Sequence, residues 1–381
     1  MEFRKSSLES VDMKPEFWRG KRVLVTGHTG FKGSWLSLWL ESLGAETVGY
    51  ALAPPTQPNL YDLASVMNGM KSILGDVLDL EHLRSVVREH SPEIVFHLAA
   101  QSLVRRSYDD PIGTYATNVL GTAHILEAVR DIPSVRAIVI VTTDKCYENR
   151  EDQRGYRETD RLGGDDPYAS SKAAAELVTV AYRKSFFIGG KNQTKAGVAS
   201  ARAGNVIGGG DWAADRLIPD VMRAVLGDRE LLIRHPHAVR PWQHVLDPLC
   251  GYLALAEKLW EHPERFSESW NFGPDESQTL SVSSVLERLR DLWGPGISWS
   301  FDDGTHPHEA QYLKLDCTKA KVELGWEPQW NLNSALEATV RWYKTYQSFR
   351  ASQTHQDLRS VAEEQIRSYQ STLSLPEISR R

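Results

Sequence analysis

The stretch Val23-Leu24-Val25-Thr26-Gly27-His28-Thr29-Gly30-Phe31-Lys32-Gly33 constrains the fold more than any other part of the chain. An apolar, β-branched run enters a turn with three glycines spaced three apart, and an amphipathic segment leaves it. That order reads as strand, tight turn and helix start. Glycines in such a turn let the backbone come close to a pyrophosphate, and the first N–H groups of the helix are free to bind it. The spacing alone is a weak signal; its place between a strand and a helix gives it weight. The alternative, a glycine-rich turn with no ligand, needs three glycines and both flanks to coincide.

The pattern that follows alternates. Strands are expected at 21–26, 46–53, 71–74, 94–98, 135–141 and 197–201, and helices at 32–43, 80–89, 115–130 and 168–185. Trp35, Leu36, Trp39 and Leu40 fall on one face of the first helix, which marks them as core. Such alternation means an α/β fold: a doubly wound parallel sheet with helices on both faces, whose ligands sit at the carboxyl ends of the strands. Beyond Arg202 the pattern loosens. Gly208-Gly209-Gly210-Asp211-Trp212 reads as a flexible corner, and helices are expected near 218–225, 248–260, 282–292 and 336–347. This part reads as a smaller mixed α/β domain over residues 203–349, with a segment near 240–250 returning to the first. Residues 1–17 read as a loose extension, and 350–381 as a polar tail, either an extra helix or a mobile one.

Composition narrows the function classes. With 381 residues, 41% apolar and 25% charged, the chain is globular rather than disordered. A net charge of −6 gives no general attraction to nucleic acid or to an anionic membrane. Cys146, Cys250 and Cys317 are too few and too scattered for a zinc pattern, and the odd count argues against a disulfide framework. That usage suits a reducing cytoplasm. Residues 1–15 have no apolar core of a secretory signal, and no stretch reaches the length of a membrane span.

Tyr168-Ala169-Ser170-Ser171-Lys172 is the second informative stretch. A Tyr and a Lys four apart share a helix face. The ammonium can stabilise phenolate and so make the phenol usable as a base near neutral pH. Alone, such a pair usually marks a solvated face; behind a glycine turn and a run of strands it points to chemistry. Together with Gly27, Gly30 and Gly33 it resembles the extended short-chain dehydrogenase/reductase family. Supporting marks are Asp76 after the third strand, Leu98-Ala99-Ala100 after the fourth, Asn118 in the next helix and Thr142-Thr143-Asp144 after the fifth. The resemblance covers roughly residues 20–345 and is strongest to the nucleotide-sugar 4,6-dehydratase branch. Residues 27–35 and 143–147 point to members of that branch that use CDP-glucose.

The resemblance implies a Rossmann-type NAD-binding domain over 18–202 and a mainly substrate-binding part over 203–349. It implies that Tyr168 takes the proton of the sugar 4-hydroxyl while hydride leaves C4 for the nicotinamide, with Lys172 on the ribose and Thr143 beside the 4-oxygen. A base then removes the C5 proton, an acid releases the 6-hydroxyl as water, and the hydride returns to C6. Asp144 is the candidate acid. Related dTDP-glucose dehydratases carry Glu as the C5 base, where this chain has Lys145; an ammonium cannot accept a proton, so Lys145 must be neutral to act so, or else it only orients Asp144 or the sugar. The cofactor set is Gly27, Thr29, Gly30, Phe31, Lys32, Gly33, Asp76, Val77, Leu98, Ala99 and Ala100 with Tyr168 and Lys172. The other reading of Asp76 is a cap for the turn into the helix at 80, a common use of Asp. The second strand ends Gly49-Tyr50-Ala51-Leu52-Ala53, with neither an acid for a ribose nor an Arg for a 2′-phosphate; recycled hydride favours NAD.

On the substrate side the resemblance implies Ser102, Arg105, Asn205, Arg216, Arg240 and Glu309, arginine suiting phosphate through its planar fork. His306, His308 and Glu309 make a loose cluster without further ligands, so no metal is expected. The family also implies pairing of two copies through helices 115–130 and 168–185, giving a dimer or tetramer. The other readings are a 4-epimerase, a dehydratase for another nucleotide sugar, or a non-catalytic dinucleotide-binding protein; the last has no need of a proton-transfer pair.

Overall fold

A computed structural model describes residues 14–150, 154–188, 195–275, 278–302, 304, 313–352 and 357–373. Six strands follow the expected alternation: β1 Arg22–Thr26, β2 Glu46–Ala51, β3 Lys71–Leu74, β4 Ile94–His97, β5 Ala137–Val141 and β6 Gly197–Arg202. With a seventh strand at Ser269–Asn271 they make one sheet in the order β3-β2-β1-β4-β5-β6 and then the seventh. Every pairing in it is parallel. The chain order reverses between β1 and β4, which pair directly, and that reversal opens a crevice at the strand ends.

Side chains leave alternate faces of a strand, so an uninterrupted apolar run fits a sheet covered on both sides. On β1, Val23 and Val25 join a core with Trp35 and Trp39, while Leu24 joins the opposite core with Val87 and Ile125. On β5, Ala137, Val139 and Val141 face the first core, and Ile138 and Ile140 the second. Trp35 and Trp39 are fully buried, as helical spacing requires.

Several expectations need correcting. The helix anticipated at 115–130 is three pieces: Pro111–Tyr115, a π-turn at Ala116–Leu120, and Gly121–Val129. The cause is Asn118, which sits in the π-turn and exchanges two hydrogen bonds of 2.9 Å with the Gln101 backbone. Its amide also donates to Ser171 Oγ at 2.9 Å. The helix anticipated at 168–185 runs Pro167–Tyr182 and finishes in a π-turn, Arg183–Phe187. The corner at 208–212 is buried throughout rather than loose: a Cβ on Gly209 would lie 2.1 Å from the Trp342 ring, and Gly210 has φ +81° against Leu60.

Both ends are tied down where described. Pro15–Trp18 is a helical turn whose Trp18 is buried and donates from Nε1 to Glu257 Oε1 at 2.7 Å. Leu332–Ser352 extends well beyond 347, and Leu358–Leu373 forms a further helix against Phe31–Ser42. Leu358, Ala362, Ile366 and Tyr369 of that last helix are buried, and Tyr369 OH donates to Asp247 Oδ1 at 2.8 Å. Near 240–250, Gln243–His244 pairs with Val206–Ile207, and Leu246–Glu261 packs on β5 and β6.

Candidate active site

The three glycines do three different things. Gly27 has φ +77°, and a Cβ there would meet Ala99 N at 2.6 Å; Gly33 lies so close to the turn that its Cβ would sit 2.1 Å from Gly27 O. Both are required by the fold itself. Gly30 is different. Its φ is −81°, open to any residue, and the nearest atom to its Cβ is Gly27 O at 3.4 Å. Protein packing gives no reason for glycine at 30, so the space before it is available to a ligand. Gly30 is also the N-cap of Phe31–Ser42 with no side-chain cap, which leaves helix N–H groups free. A dinucleotide pyrophosphate fits that cradle. The comparison is a test: Gly33→Ala should cost about 3 kcal/mol of stability through overpacking. Gly30→Ala should unfold at nearly the parental temperature yet bind cofactor at least about tenfold more weakly, as judged by calorimetry.

The cradle opens into a cleft of about 770 Å³. Val77, Leu98, Ala99 and Ala100 line it next to the glycines, together with Thr29 and Asp76. Thr29 Oγ1 donates to Leu52 O at 2.8 Å and so fixes the end of β2. Asp76 Oδ1 accepts from Leu78 N at 2.9 Å, so one carboxylate oxygen does close the local turn, but the cap of Leu80–His90 is Asp79. His28 is buried, its ring bound to Ser72 Oγ at 2.7 Å, and burial pushes its pKa down to about 4, so it is a neutral packing group.

Tyr168 and Lys172 stand in the first turns of Pro167–Tyr182, both buried and both lining the cleft. Asp166 starts that helix by accepting from Ala169 N at 2.8 Å, and Pro167 fits its first position. Burial pushes the Tyr168 phenol up to about 12; a hydrogen bond with Thr143 and the charge of Arg216 pull the other way. Lys172 is itself drawn down to about 8 by burial, partly offset by Glu176. Its ammonium donates to Val141 O at 3.3 Å.

Thr143, Asp144 and Lys145 come from the end of β5, where Thr143 caps the short 3-10 turn Asp144–Cys146. Thr143 Oγ1 donates to Asp144 Oδ1 at 3.0 Å, while the buried Oδ2 of Asp144 has no hydrogen-bond partner among the described residues. Gly204 makes room for it, since a Cβ there would strike that oxygen. Lys145 is half-buried on the cleft wall. Lys32, assigned to the cofactor from the sequence, reaches further: burial lowers it to about 7, Arg216 and Lys172 lower it too, and Asp144 and Asp211 oppose them.

The opposite wall carries the substrate candidates. Arg216 bridges Asp211 Oδ2 at 2.9 Å and Ser102 Oγ at 3.0 Å, so two residues 114 positions apart meet. Arg105 pairs with Asp215 at 3.5 Å, and Arg234, which the sequence reading missed, pairs with the same carboxylate at 3.3 Å. Asn205, at φ +49°, and Arg240 line the cleft as well. Eight lysines and arginines against six aspartates face this cleft in a chain of net charge −6, which favours an anionic ligand. Glu309, His306 and His308 lie outside the described residues. Among the described residues no cluster of His, Cys, Asp and Glu suits a metal.

Comparison with known proteins agrees with this geometry. Residues 24–267 match the family described as GDP-mannose 4,6 dehydratase. The CDP-glucose 4,6-dehydratase of Salmonella typhimurium strain LT2 is 53% identical over 331 residues, 87% of this chain and 92% of that protein. A dTDP-glucose 4,6-dehydratase of Xanthomonas campestris pv. campestris is 29% identical over 350 residues, 86% of this chain and 94% of the relative. Among solved structures, the dTDP-glucose 4,6-dehydratase of Bacillus anthracis str. Ames in complex with NAD superposes with a TM-score of 0.70 at 26% identity, covering 87% of this chain and 98% of that one. The glycine cradle, the Tyr168–Lys172 pair and the matched 24–267 segment agree: the chain belongs to the nucleotide-sugar 4,6-dehydratase family of extended short-chain dehydrogenase/reductases.

Proposed function

We propose that this chain is an NAD-dependent lyase that converts CDP-glucose to CDP-4-dehydro-6-deoxyglucose. The observation that carries it is the meeting, in one cleft, of the glycine cradle with two proton-transfer sets: Tyr168 with Thr143, and Asp144 with Lys145. The first set serves C4. A simple 4-epimerase needs only that one; the second serves C5 and C6. The 53% identity to a CDP-glucose 4,6-dehydratase supports the choice of nucleotide.

Gly27, Gly30 and Gly33 with the start of Phe31–Ser42 would hold the pyrophosphate of NAD, and Asp76 and Val77 line the cleft where the adenine would lie. Bound there, NAD would supply reversible hydride transfer at the sugar. Tyr168 takes the proton of the 4-hydroxyl, with Thr143 as hydrogen-bond partner. The resulting 4-keto group acidifies the C5–H bond. Lys145 takes that proton, and Asp144 gives one from Oδ2 to the departing 6-hydroxyl. Lys172 orients the cofactor ribose. Ser102, Arg105, Asn205, Arg216 and Arg240 hold the nucleoside diphosphate by charge and hydrogen bonding.

Incubation of the purified protein with each nucleoside-diphosphate glucose, followed by the absorbance of the 4-keto product in alkali, is expected to give signal with CDP-glucose. A galactose product with no keto sugar would show an epimerase, and signal only from another nucleotide would reassign the substrate. The chain is further read as a cytoplasmic homo-oligomer feeding deoxysugar synthesis for surface lipopolysaccharide. Three free, buried thiols support the compartment. Exposed Tyr115, Leu120 and Leu177, within the 115–130 and 168–185 stretches named for pairing, support the oligomer.

A further inference from the structure

A cluster of buried polar side chains centred on Glu176 adjoins the cleft at Thr142. Glu176 is fully buried, one turn beyond Lys172 on the same helix. Its Oε1 accepts from Thr142 Oγ1 at 2.5 Å, and its Oε2 from Ser200 Oγ at 2.6 Å and Arg202 at 2.7 Å. Ser269 Oγ adds a longer bond at 3.1 Å. These partners come from the end of β5, from β6 and from the seventh strand. On the other side of the 141–142 peptide, Lys172 Nζ holds Val141 O at 3.3 Å. One helix therefore grips the end of β5 at two successive residues, immediately before Thr143.

We propose that Glu176 is a positioning residue for the proton-transfer pair: it holds Thr142, and with it the Thr143–Lys145 turn, in register with Tyr168, and it keeps Lys172 charged. The inference rests on the role given above to Lys172. A buried ammonium is costly without a nearby anion. Around Lys172 stand Glu176 on its own helix, Cys146 from the 3-10 turn, Lys32 from the glycine-turn helix and His97 from β4. His97 is held neutral by burial, which takes it down to about 3, and burial pushes the Cys146 thiol up. Lys32, lowered to about 7 by burial, supplies no anion either. Glu176 is then the ionised anion that favours the charged form; Arg202 and its hydrogen bonds hold it at about 2 against the opposing effect of burial. Arg183 also faces Glu176.

The test is the pH profile of kcat for the full-length enzyme with NAD and CDP-glucose. Glu176→Gln removes the charge and keeps the shape; the alkaline limb is expected to move about one unit to lower pH. Because that change leaves the Arg202 guanidinium buried and unpaired, the double variant Glu176→Gln/Arg202→Met restores neutrality and is expected to show the same displacement. Thr142→Val removes one bond and no charge; it is expected to lower kcat several-fold at unchanged KM, with the limb in place. A limb at the parental pH in the Glu176 variants overturns the charge role, and parental kcat in Thr142→Val overturns the grip. Lys172→Met is the control. If it were as active as the parent, the role of Lys172 itself would fall; if it is inactive while the Glu176 variants keep the parental limb, only this inference falls.

Discussion

Tyr168→Phe is expected to lower kcat by about 10³-fold, the range of a lost acid–base group, while leaving cofactor affinity within a few-fold of the parent. The change removes one oxygen from a side chain that is 7% exposed, so packing is conserved. Phe can still fill the site between Ser107 and the cleft, since the Tyr168 backbone N–H, not the phenol, donates to Ser107 Oγ at 3.1 Å. The loss is thus chemical rather than structural, and a parental melting temperature would confirm it. Burial raises the phenol to about 12, and a hydrogen bond with Thr143 and the charge of Arg216 act to lower it. Stopped-flow absorbance of the first turnover is the measurement: no reduced cofactor should build up in the variant.

Lys145→Met should separate the two halves of the reaction. C4 oxidation depends on Tyr168, which the substitution leaves alone, so reduced cofactor should form at close to the parental rate. Exchange of the C5 proton with solvent deuterium should fall by at least about 10²-fold. The methionine matches the length of the lysine stem without an amine, so it keeps the cleft wall. Mass spectrometry of recovered nucleotide sugar reads the result. Exchange at the parental rate would remove Lys145 from the role of base and leave it orienting Asp144 or the sugar. Lys32 would then be the next amine to test, because burial and its neighbouring cations already bring it to about 7.

The first half of the fold could be read from the chain because it is written locally. The runs Ala137–Val141 and Ile94–Phe96 are apolar without interruption, which fits a sheet buried on both faces. Gly33 marks a backbone contact with Gly27 and His28 a few residues away, while Gly27 carries the motif spacing although its close contact is with the distant Ala99. What escaped reading depends on distant partners. The strand Ser269–Asn271 is three residues long and exists because β6 offers it an edge. The π-turn at Asn118 follows from amide bonds to Gln101 and Ser171, 17 and 53 positions away. The last helix looks polar in sequence, yet Tyr369 reaches Asp247 across 122 positions. In the site, the glycines, Tyr168, Lys172 and Thr143 carry motif spacing. Arg234 and Asp215 do not; they meet only because a loop with Asp215 at φ +59° turns back on Arg105. Glu176 was within reach, four residues past Lys172, but nothing local told a buried carboxylate from a solvated one.

The account depends on a hydrogen borrowed from C4 and given back at C6 inside one closed cycle. CDP-glucose carrying deuterium at C4 tests this directly, by NMR of the product. The label should appear on the C6 methyl group, without net reduction of NAD and without mixing between labelled and unlabelled substrate molecules. Deuterium lost to water, retained at C4 or accumulated in reduced cofactor would contradict it.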